Sequence, residues 1–160
     1  MERKKDAEGA LGGLRPAACL NKATRGQTGG DDMTAPHLWL AIGLGGAIGA
    51  MARHGVGVVA LRALGPNFPW GTLTVNVAGG FAMGLFIAWL TAREPQSALL
   101  RSFVVTGMLG GFTTFSAFAL EAVTLGRDRS LAAAALYVGV SVFLSIGALL
   151  AGLQAGRAFS

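Results

Sequence analysis

Long apolar stretches, separated by short polar segments, make up the chain from residue 38 onward. Four of these stretches carry almost no charge, and they are residues 38–61, 70–92, 102–126 and 130–156. The basic and acidic side chains within them are Arg53, His54 and Glu121. A bilayer core of about 30 Å requires about 20 apolar residues in a helix, and each stretch meets that length. The pattern therefore predicts an all-α membrane protein with four transmembrane helices, not the striped helices of a soluble protein.

Turn-forming residues between the stretches set the bounds of the four helices. Gly65 and Pro66 follow the first stretch, Pro95 follows the second, and a polar turn at residues 126–129 follows the third. We predict spans over Leu38–Leu61, Trp70–Ala92, Ser97–Leu125 and Leu131–Gly156. The loops between them are short, so consecutive spans should be antiparallel neighbours.

Composition supports the membrane prediction and argues against other classes. Charged residues make up 13% of the chain and apolar residues 52%, whereas about a quarter of a soluble domain is charged. The net charge is +5, but the basic residues are scattered over termini and loops. We therefore expect the lipid bilayer, and not nucleic acid, as a partner. The sequence contains no nucleotide-binding motif, catalytic constellation or Cys/His cluster, which predicts that the protein is not an enzyme.

Residues 1–32 differ from the remainder of the chain. They hold all three lysines, many glycines and alanines, and no apolar run long enough for a signal-peptide core. This composition predicts a disordered N-terminal extension, followed by a membrane domain over residues 33–160. Met33 directly precedes the first span, as a start site would. We expect a chain that begins at Met33 to fold and assemble as the longer chain does.

Basic residues are balanced on the two sides of the predicted bundle. From Met33 onward, the loop and terminal arginines are Arg93, Arg101 and Arg157 on one side and Arg62, Arg127 and Arg129 on the other. An excess of Lys and Arg on one side sets the orientation of most membrane proteins. Three against three leaves no excess, which predicts that the chain inserts in both orientations.

Glycines recur at four-residue spacing in three of the predicted spans. The pairs are Gly45 and Gly49, Gly80 and Gly84, and Gly107 and Gly111. Such pairs let helices approach closely in lipid, where no hydrophobic effect drives helices together. They predict tightly packed helices and favour a dimer.

The third predicted span contains a poor helical sequence at its centre. As one straight helix it would be about 43 Å long at 1.5 Å per residue, more than the bilayer core needs. Gly110-Gly111 and Thr113-Thr114 lie in its middle, so we predict a break near Gly110–Thr114. A break frees backbone groups that protein, water or an ion must satisfy. The sequence leaves two interpretations open: an ion site, or a helix that is merely kinked.

Several polar and aromatic side chains lie in or beside the membrane spans. Asn76 has two N–H donors that suit an anion, although an interhelical hydrogen bond explains a buried amide equally well. Phe115 and Phe118 present positively polarised ring edges, although two Phe at helical spacing usually serve core packing. Glu121 lies near the end of its span. A stripe of hydroxyls at four-residue spacing is formed by Tyr137, Ser141 and Ser145.

Three segments resemble the signature stretches of the Fluc/CrcB fluoride channels. They are residues 45–53 (GGAIGAMAR), 71–79 (GTLTVNVAG) and 110–118 (GGFTTFSAF). They occur in the family's order and on the expected spans, and the resemblance extends from about residue 38 to residue 156. It implies passive export of fluoride through two pores of an antiparallel, dual-topology homodimer in the bacterial plasma membrane. It also implies a structural sodium ion at the dimer centre.

The resemblance assigns roles to particular positions. It implies that Asn76, Phe115 and Phe118 line the fluoride path, and that the carbonyls of Gly110 and Thr113 ligate sodium. The residues that resemble the family's polar track are Ser116, Glu121, Tyr137, Ser141 and Ser145. Arg53 resembles an arginine of the first span whose role we leave open. Ala117 departs from the family, which often has Thr there, so the track loses one hydroxyl.

Two other functions remain open at this point. A small four-span multidrug/proton antiporter has the same size, but needs a carboxylate in its cavity, and Glu121 is the one candidate. A non-conducting helical subunit would explain the glycine pairs, but not the sequence at Gly110–Thr114.

Overall fold

The computed structural model describes residues 35–92 and 97–158, and within them it is helical and contains no strand. The first, second and fourth spans are α1 (Pro36–Leu64), α2 (Trp70–Thr91) and α6 (Leu131–Ala158). The third span covers Ala98–Asp128. All four are long and apolar enough to cross a membrane, so the predicted four-helix membrane fold is confirmed. The predicted extension 1–32, the start at Met33 and the turn at Pro95 lie outside the described residues.

The third span consists of four segments. It begins with α3 (Ala98–Arg101) and a π-helical segment (Ser102–Leu109), and it continues with α4 (Gly110–Phe112) and α5 (Phe115–Asp128). The π-helical segment was not predicted, because hydrogen bonding from residue i to i+5 leaves no pattern in the sequence.

The first span ends later than predicted. α1 extends three residues past Leu61 and stops at Leu64, where Gly65 adopts a φ of +77°. Only glycine takes up this left-handed backbone readily, and its N–H bonds to the Leu61 carbonyl at 3.0 Å. Arg62 lies in the last turn, where a positive charge is favourable beside the exposed carbonyls. The predicted starts at Trp70 and Leu131 agree with the observed ones, and the remaining bounds differ by one to three residues.

Two helix pairs form the frame of the bundle. α1 packs along the π-helical segment, and α2 packs along α6. Both contacts depend on glycine, because a Cβ at Gly49 would collide with the Met108 carbonyl and one at Gly84 with the Leu149 carbonyl. The predicted close packing is thus confirmed. The glycine pairs, however, serve contacts within one chain, so they are not evidence for a dimer.

The bundle buries a small core and leaves large apolar surfaces outside. Leu73, Phe118 and Tyr137 form a buried cluster where α2, α5 and α6 meet, and Tyr137 is fully enclosed. Large apolar side chains such as Leu44 and Phe143 point outward. Outward apolar surface of this kind belongs in lipid or against another membrane protein, as expected for a multi-pass membrane protein.

Candidate functional site

Two residues with extended backbone interrupt the third span. α4 ends at Phe112, and α5 begins at Phe115. Thr113 has φ −78° and ψ 158°, and Thr114 has φ −152° and ψ 123°. Both residues lie in the stretch Gly110–Thr114 in which the sequence predicts a break. Their backbone groups cannot continue the helical hydrogen-bond pattern, so other atoms must satisfy them.

The side chain of Asn76 satisfies the backbone of Thr114 from the neighbouring helix. The Thr114 N–H donates to Asn76 Oδ1 at 2.8 Å, and Asn76 Nδ2 donates to the Thr114 carbonyl at 3.0 Å. The side-chain amide therefore forms the two hydrogen bonds with the Thr114 backbone that a residue in a neighbouring β-strand would form. This is the interhelical hydrogen bond that the sequence left open, and it occupies one of the two N–H groups of Asn76.

The Thr114 hydroxyl caps the helix that follows the interruption. Thr114 Oγ1 accepts a hydrogen bond from the Ala117 N–H at 3.3 Å, as an N-cap residue does. The same hydroxyl lies 3.4 Å from Ser116 Oγ. Thr113 points its hydroxyl the other way and donates to the Leu109 carbonyl at 3.0 Å. The two threonines therefore use their side chains to end one helix and begin the next.

A groove of about 440 Å³ runs beside this interruption. We call it the Asn76 groove, and it includes five residues of the predicted fluoride path, namely Asn76, Phe115, Phe118, Ser141 and Ser145. Ser141 is only 3% exposed, and its hydroxyl lies near that of Tyr137 but makes no hydrogen bond of standard length and angle within the described residues. A buried hydroxyl without such a bond is costly, and it is therefore a donor available to a ligand.

A second, larger cavity of about 660 Å³ lies between α1, α2 and α5 and shares Thr114 with the groove. We call it the Glu121 cavity, and its polar lining includes Arg53, His54, Thr72 and Glu121. Glu121 Oε1 accepts a hydrogen bond from the Thr72 hydroxyl, and Oε2 accepts one from the Tyr137 hydroxyl, both at 2.8 Å. The two hydroxyls hold the carboxylate in one orientation.

A row of aromatic rings leads from the groove towards Glu121. Phe118 lies 5.6 Å from Phe115 and 5.4 Å from Tyr137, measured between ring centroids. Phe118 is 8% exposed, whereas Phe115 is 79% exposed at the mouth of the groove. Phe118 therefore belongs to the core and the groove wall at once, and Tyr137 connects its ring to Glu121.

The other sequence-predicted positions lie elsewhere. Arg53 and Glu121 line the second cavity, and Tyr137 is buried and lines neither cavity. Ser116 is exposed and lines neither cavity, and Gly110 is exposed as well. In one chain, therefore, the predicted fluoride path is divided into two parts.

Sequence reasoning missed Thr72 and Thr114 as interaction partners. Thr72 precedes Asn76 by four residues, so helical spacing could have placed both on one face of α2. Thr114 gave no such signal, because its partnership with Asn76 depends on a contact between residues 38 positions apart.

A sequence model for the family described as "CrcB-like protein, Camphor Resistance (CrcB)" matches residues 40–153. The chain belongs to the CrcB family. The matched region reaches into all four spans of this CrcB protein and includes every residue of the Asn76 groove and the Glu121 cavity named above.

Relatives of this CrcB protein carry a common name. The "Fluoride-specific ion channel FluC" of Hyphomonas neptunium is 53% identical over 120 residues, which cover 74% of this chain and 94% of the relative. The protein of that name from Paracoccus denitrificans is 54% identical over 121 residues, 76% of this chain and 95% of the relative. The protein of that name from Agrobacterium fabrum is 49% identical over 116 residues, which cover 72% of this chain and 93% of the relative.

Proposed function

We propose that this CrcB protein is a fluoride-selective channel in the bacterial plasma membrane, and that fluoride passes along the Asn76 groove. The observation that carries the proposal is that the buried Ser141 hydroxyl, which makes no hydrogen bond of standard geometry within the described residues, lies in one groove with the Asn76 amide. Asn76 keeps a second N–H beyond the one it gives to Thr114. The relatives' printed name points to the same ion.

The chemistry of the groove suits fluoride. Fluoride is small and strongly hydrated, so a selective pore must replace its water with hydrogen-bond donors. Amide and hydroxyl donors do so, whereas a fixed positive charge would hold the ion too tightly, and the groove lining contains no charged residue. The edges of Phe115 and Phe118 add weak positive polarity. No nucleotide-binding motif is present in the sequence, which favours passive export down the gradient.

The open side of the groove supports a dimer. Phe115 is 79% exposed in the single chain, and Ser116 is exposed beside it. A polar groove that opened sideways into lipid would be unfavourable. A second copy would close it, and Ser116 would join the path on the side that this copy covers. The balance of arginines on the two sides favours an antiparallel arrangement, and with it two pores per dimer.

The Glu121 cavity would form the approach to the groove. The ring of Tyr137 contacts Phe118 of the groove, and the hydroxyl of Tyr137 donates to Glu121 of the cavity. Glu121 and Tyr137 keep their place on the proposed polar track. Arg53 lines the same cavity and would attract anions to it.

A structural sodium ion at the dimer centre is also part of the proposal. The backbone at Thr113 and Thr114 is extended. Carbonyl oxygens near the end of α4 therefore lack the N–H donors that a continuous helix would supply. Carbonyls are hard oxygen ligands, which suit a hard cation. The carbonyls of Gly110 and Thr113 from two antiparallel copies would supply four ligands. When bound, the ion would neutralise the negative ends of these dipoles and hold the two interruptions together.

Efflux from liposomes, measured with a fluoride electrode, tests the function. We expect the purified protein to release trapped fluoride down its gradient, without ATP and without a pH gradient, once a potassium ionophore balances the charge. Liposomes loaded with chloride should release little. Absence of fluoride efflux would contradict the proposal.

The same assay distinguishes the proton-coupled antiporter. Both oxygens of Glu121 are occupied by hydroxyls, which argues against a carboxylate that binds and releases a substrate. Efflux that required an opposing proton gradient would nevertheless favour the antiporter over the channel.

A further inference from the structure

We infer that the side chains of Asn76 and Thr114 create the pair of carbonyls at the interruption, because they capture two backbone N–H groups that a helix would give to Gly110 and Thr113. The inference rests on the proposed sodium site and says which residues build it. Asn76 and Thr114 would act as positioning residues, not as ligands.

The first captured donor is the N–H of Thr114. In a continuous α-helix it would bond to the carbonyl four residues earlier, that of Gly110. It donates instead to Asn76 Oδ1 at 2.8 Å. The residue before it keeps the regular pattern, since the Thr113 N–H bonds to the Leu109 carbonyl at 3.0 Å. The diversion therefore begins at Thr114, where the side chain from α2 arrives.

The second captured donor is the N–H of Ala117. A continuous helix would give it to the Thr113 carbonyl. It donates instead to the hydroxyl of Thr114 at 3.3 Å. Two side-chain oxygens thus compete with two backbone carbonyls, and the carbonyls whose donors these side chains take belong to Gly110 and Thr113. These are the two positions that the resemblance to the family assigns to sodium.

Asn76 consequently belongs to both proposed ion sites. Its Oδ1 keeps the Thr114 N–H away from Gly110, while its nitrogen donates to Thr114 and faces the groove. Groups that orient metal ligands without touching the metal typically change metal affinity by about 10- to 100-fold when they are removed. The two functions of Asn76 should be separable, because one uses its oxygen and the other its nitrogen.

Sodium-dependent stability of the full chain in detergent tests the inference without measuring transport. Thermal unfolding would be followed as Na⁺ replaces N-methylglucamine at constant ionic strength, with K⁺ as the comparison ion. Ligand that binds the folded protein raises the unfolding temperature as its concentration passes the Kd. The parent protein should show this rise with Na⁺ and a smaller one with K⁺.

Two pairs of variants then separate positioning from packing. Thr114→Val keeps the shape but removes the hydroxyl, so the Ala117 N–H returns to Thr113 and about 10-fold more Na⁺ should be needed. Thr114→Ser keeps the hydroxyl and should titrate as the parent does. Asn76→Asp keeps an oxygen acceptor for Thr114 and should bind Na⁺ at least as well as the parent. Asn76→Leu has neither the oxygen nor the nitrogen, and its affinity for Na⁺ should fall by about as much as that of Thr114→Val.

The outcomes distinguish this inference from the proposed function. A folded Thr114→Val protein that titrates with Na⁺ like Thr114→Ser would overturn it. If Thr114→Val does not fold, the comparison of Asn76→Asp with Asn76→Leu tests the inference instead. Equal Na⁺ affinity of these two variants would overturn the inference. A parent protein with no Na⁺-specific rise would instead remove the sodium site itself. Fluoride efflux from liposomes tests the channel function separately.

Discussion

Replacing Asn76 by aspartate tests the proposed fluoride path with a change of one nitrogen to oxygen. The carboxylate still accepts the hydrogen bond from the Thr114 N–H, which is 2.8 Å long in the parent. It cannot donate to the Thr114 carbonyl, so the 3.0 Å bond from Nδ2 is lost. The second N–H, which we assign to fluoride, becomes a negatively charged oxygen.

The expected effect on flux is much larger than the effect on stability. Loss of one neutral hydrogen bond costs about 1 kcal/mol of folding free energy. A fluoride ion about 4 Å from the new carboxylate meets a repulsion of about 4 kcal/mol at an effective dielectric constant near 20. Since about 1.4 kcal/mol changes a rate tenfold, the fluoride flux of Asn76→Asp should fall by about three orders of magnitude.

Fluoride efflux from liposomes would be measured for Asn76→Asp and for a matched control. Gln154→Glu introduces the same charge near the end of α6, where Gln154 is exposed and lines neither the Asn76 groove nor the Glu121 cavity. Exposed charges are screened beyond a Debye length of about 8 Å. The control should therefore change flux by less than about twofold. A folded Asn76→Asp protein with the flux of the control would refute the assignment of the path.

Three further predictions concern packing and topology. Tyr137→Phe keeps the ring but removes the donor to Glu121, so the free energy of unfolding in detergent should fall by about 1.5–3 kcal/mol; an unchanged value would show that the hydroxyl is not needed. Gly84→Ala should cost about 1–3 kcal/mol in the same measurement, whereas Gly147→Ala, which meets nothing within 4 Å, should be tolerated, and equal effects would contradict the packing argument. Asp128→Cys in a cysteine-free background should be labelled from outside in about half of the molecules if orientation follows the balance of arginines; labelling of all or none would exclude dual topology.

The membrane class and the number of spans follow from the amino-acid sequence alone. Uncharged stretches of about 20 residues have few alternatives to crossing a bilayer, so their ends could be placed within a few residues of those observed. The remaining differences have local causes. α1, for example, continues three residues past its predicted end to Leu64, where the left-handed Gly65 ends it.

Candidate polar residues could also be selected from sequence, because polar side chains are costly in lipid and few in these spans. Their spacing placed Ser141 and Ser145 on one face, and both line the Asn76 groove. The same reasoning could not say that Glu121 lies in a different cavity. Helical spacing relates residues within one helix, whereas the cavity that a residue lines depends on how the helices pack against one another.

Which polar atoms are already hydrogen-bonded became apparent from the packing of the helices and not from the sequence. One face of α2 brings Asn76 to the Thr114 backbone, and it brings Thr72 to Glu121, across separations of 38 and 49 residues. Sequence specifies that such groups exist, but a hydrogen bond between helices depends on their rotation and depth, which packing sets. For the same reason the glycine pairs could be recognised from spacing, while their use within the chain became apparent only from the carbonyls that Gly49 and Gly84 approach.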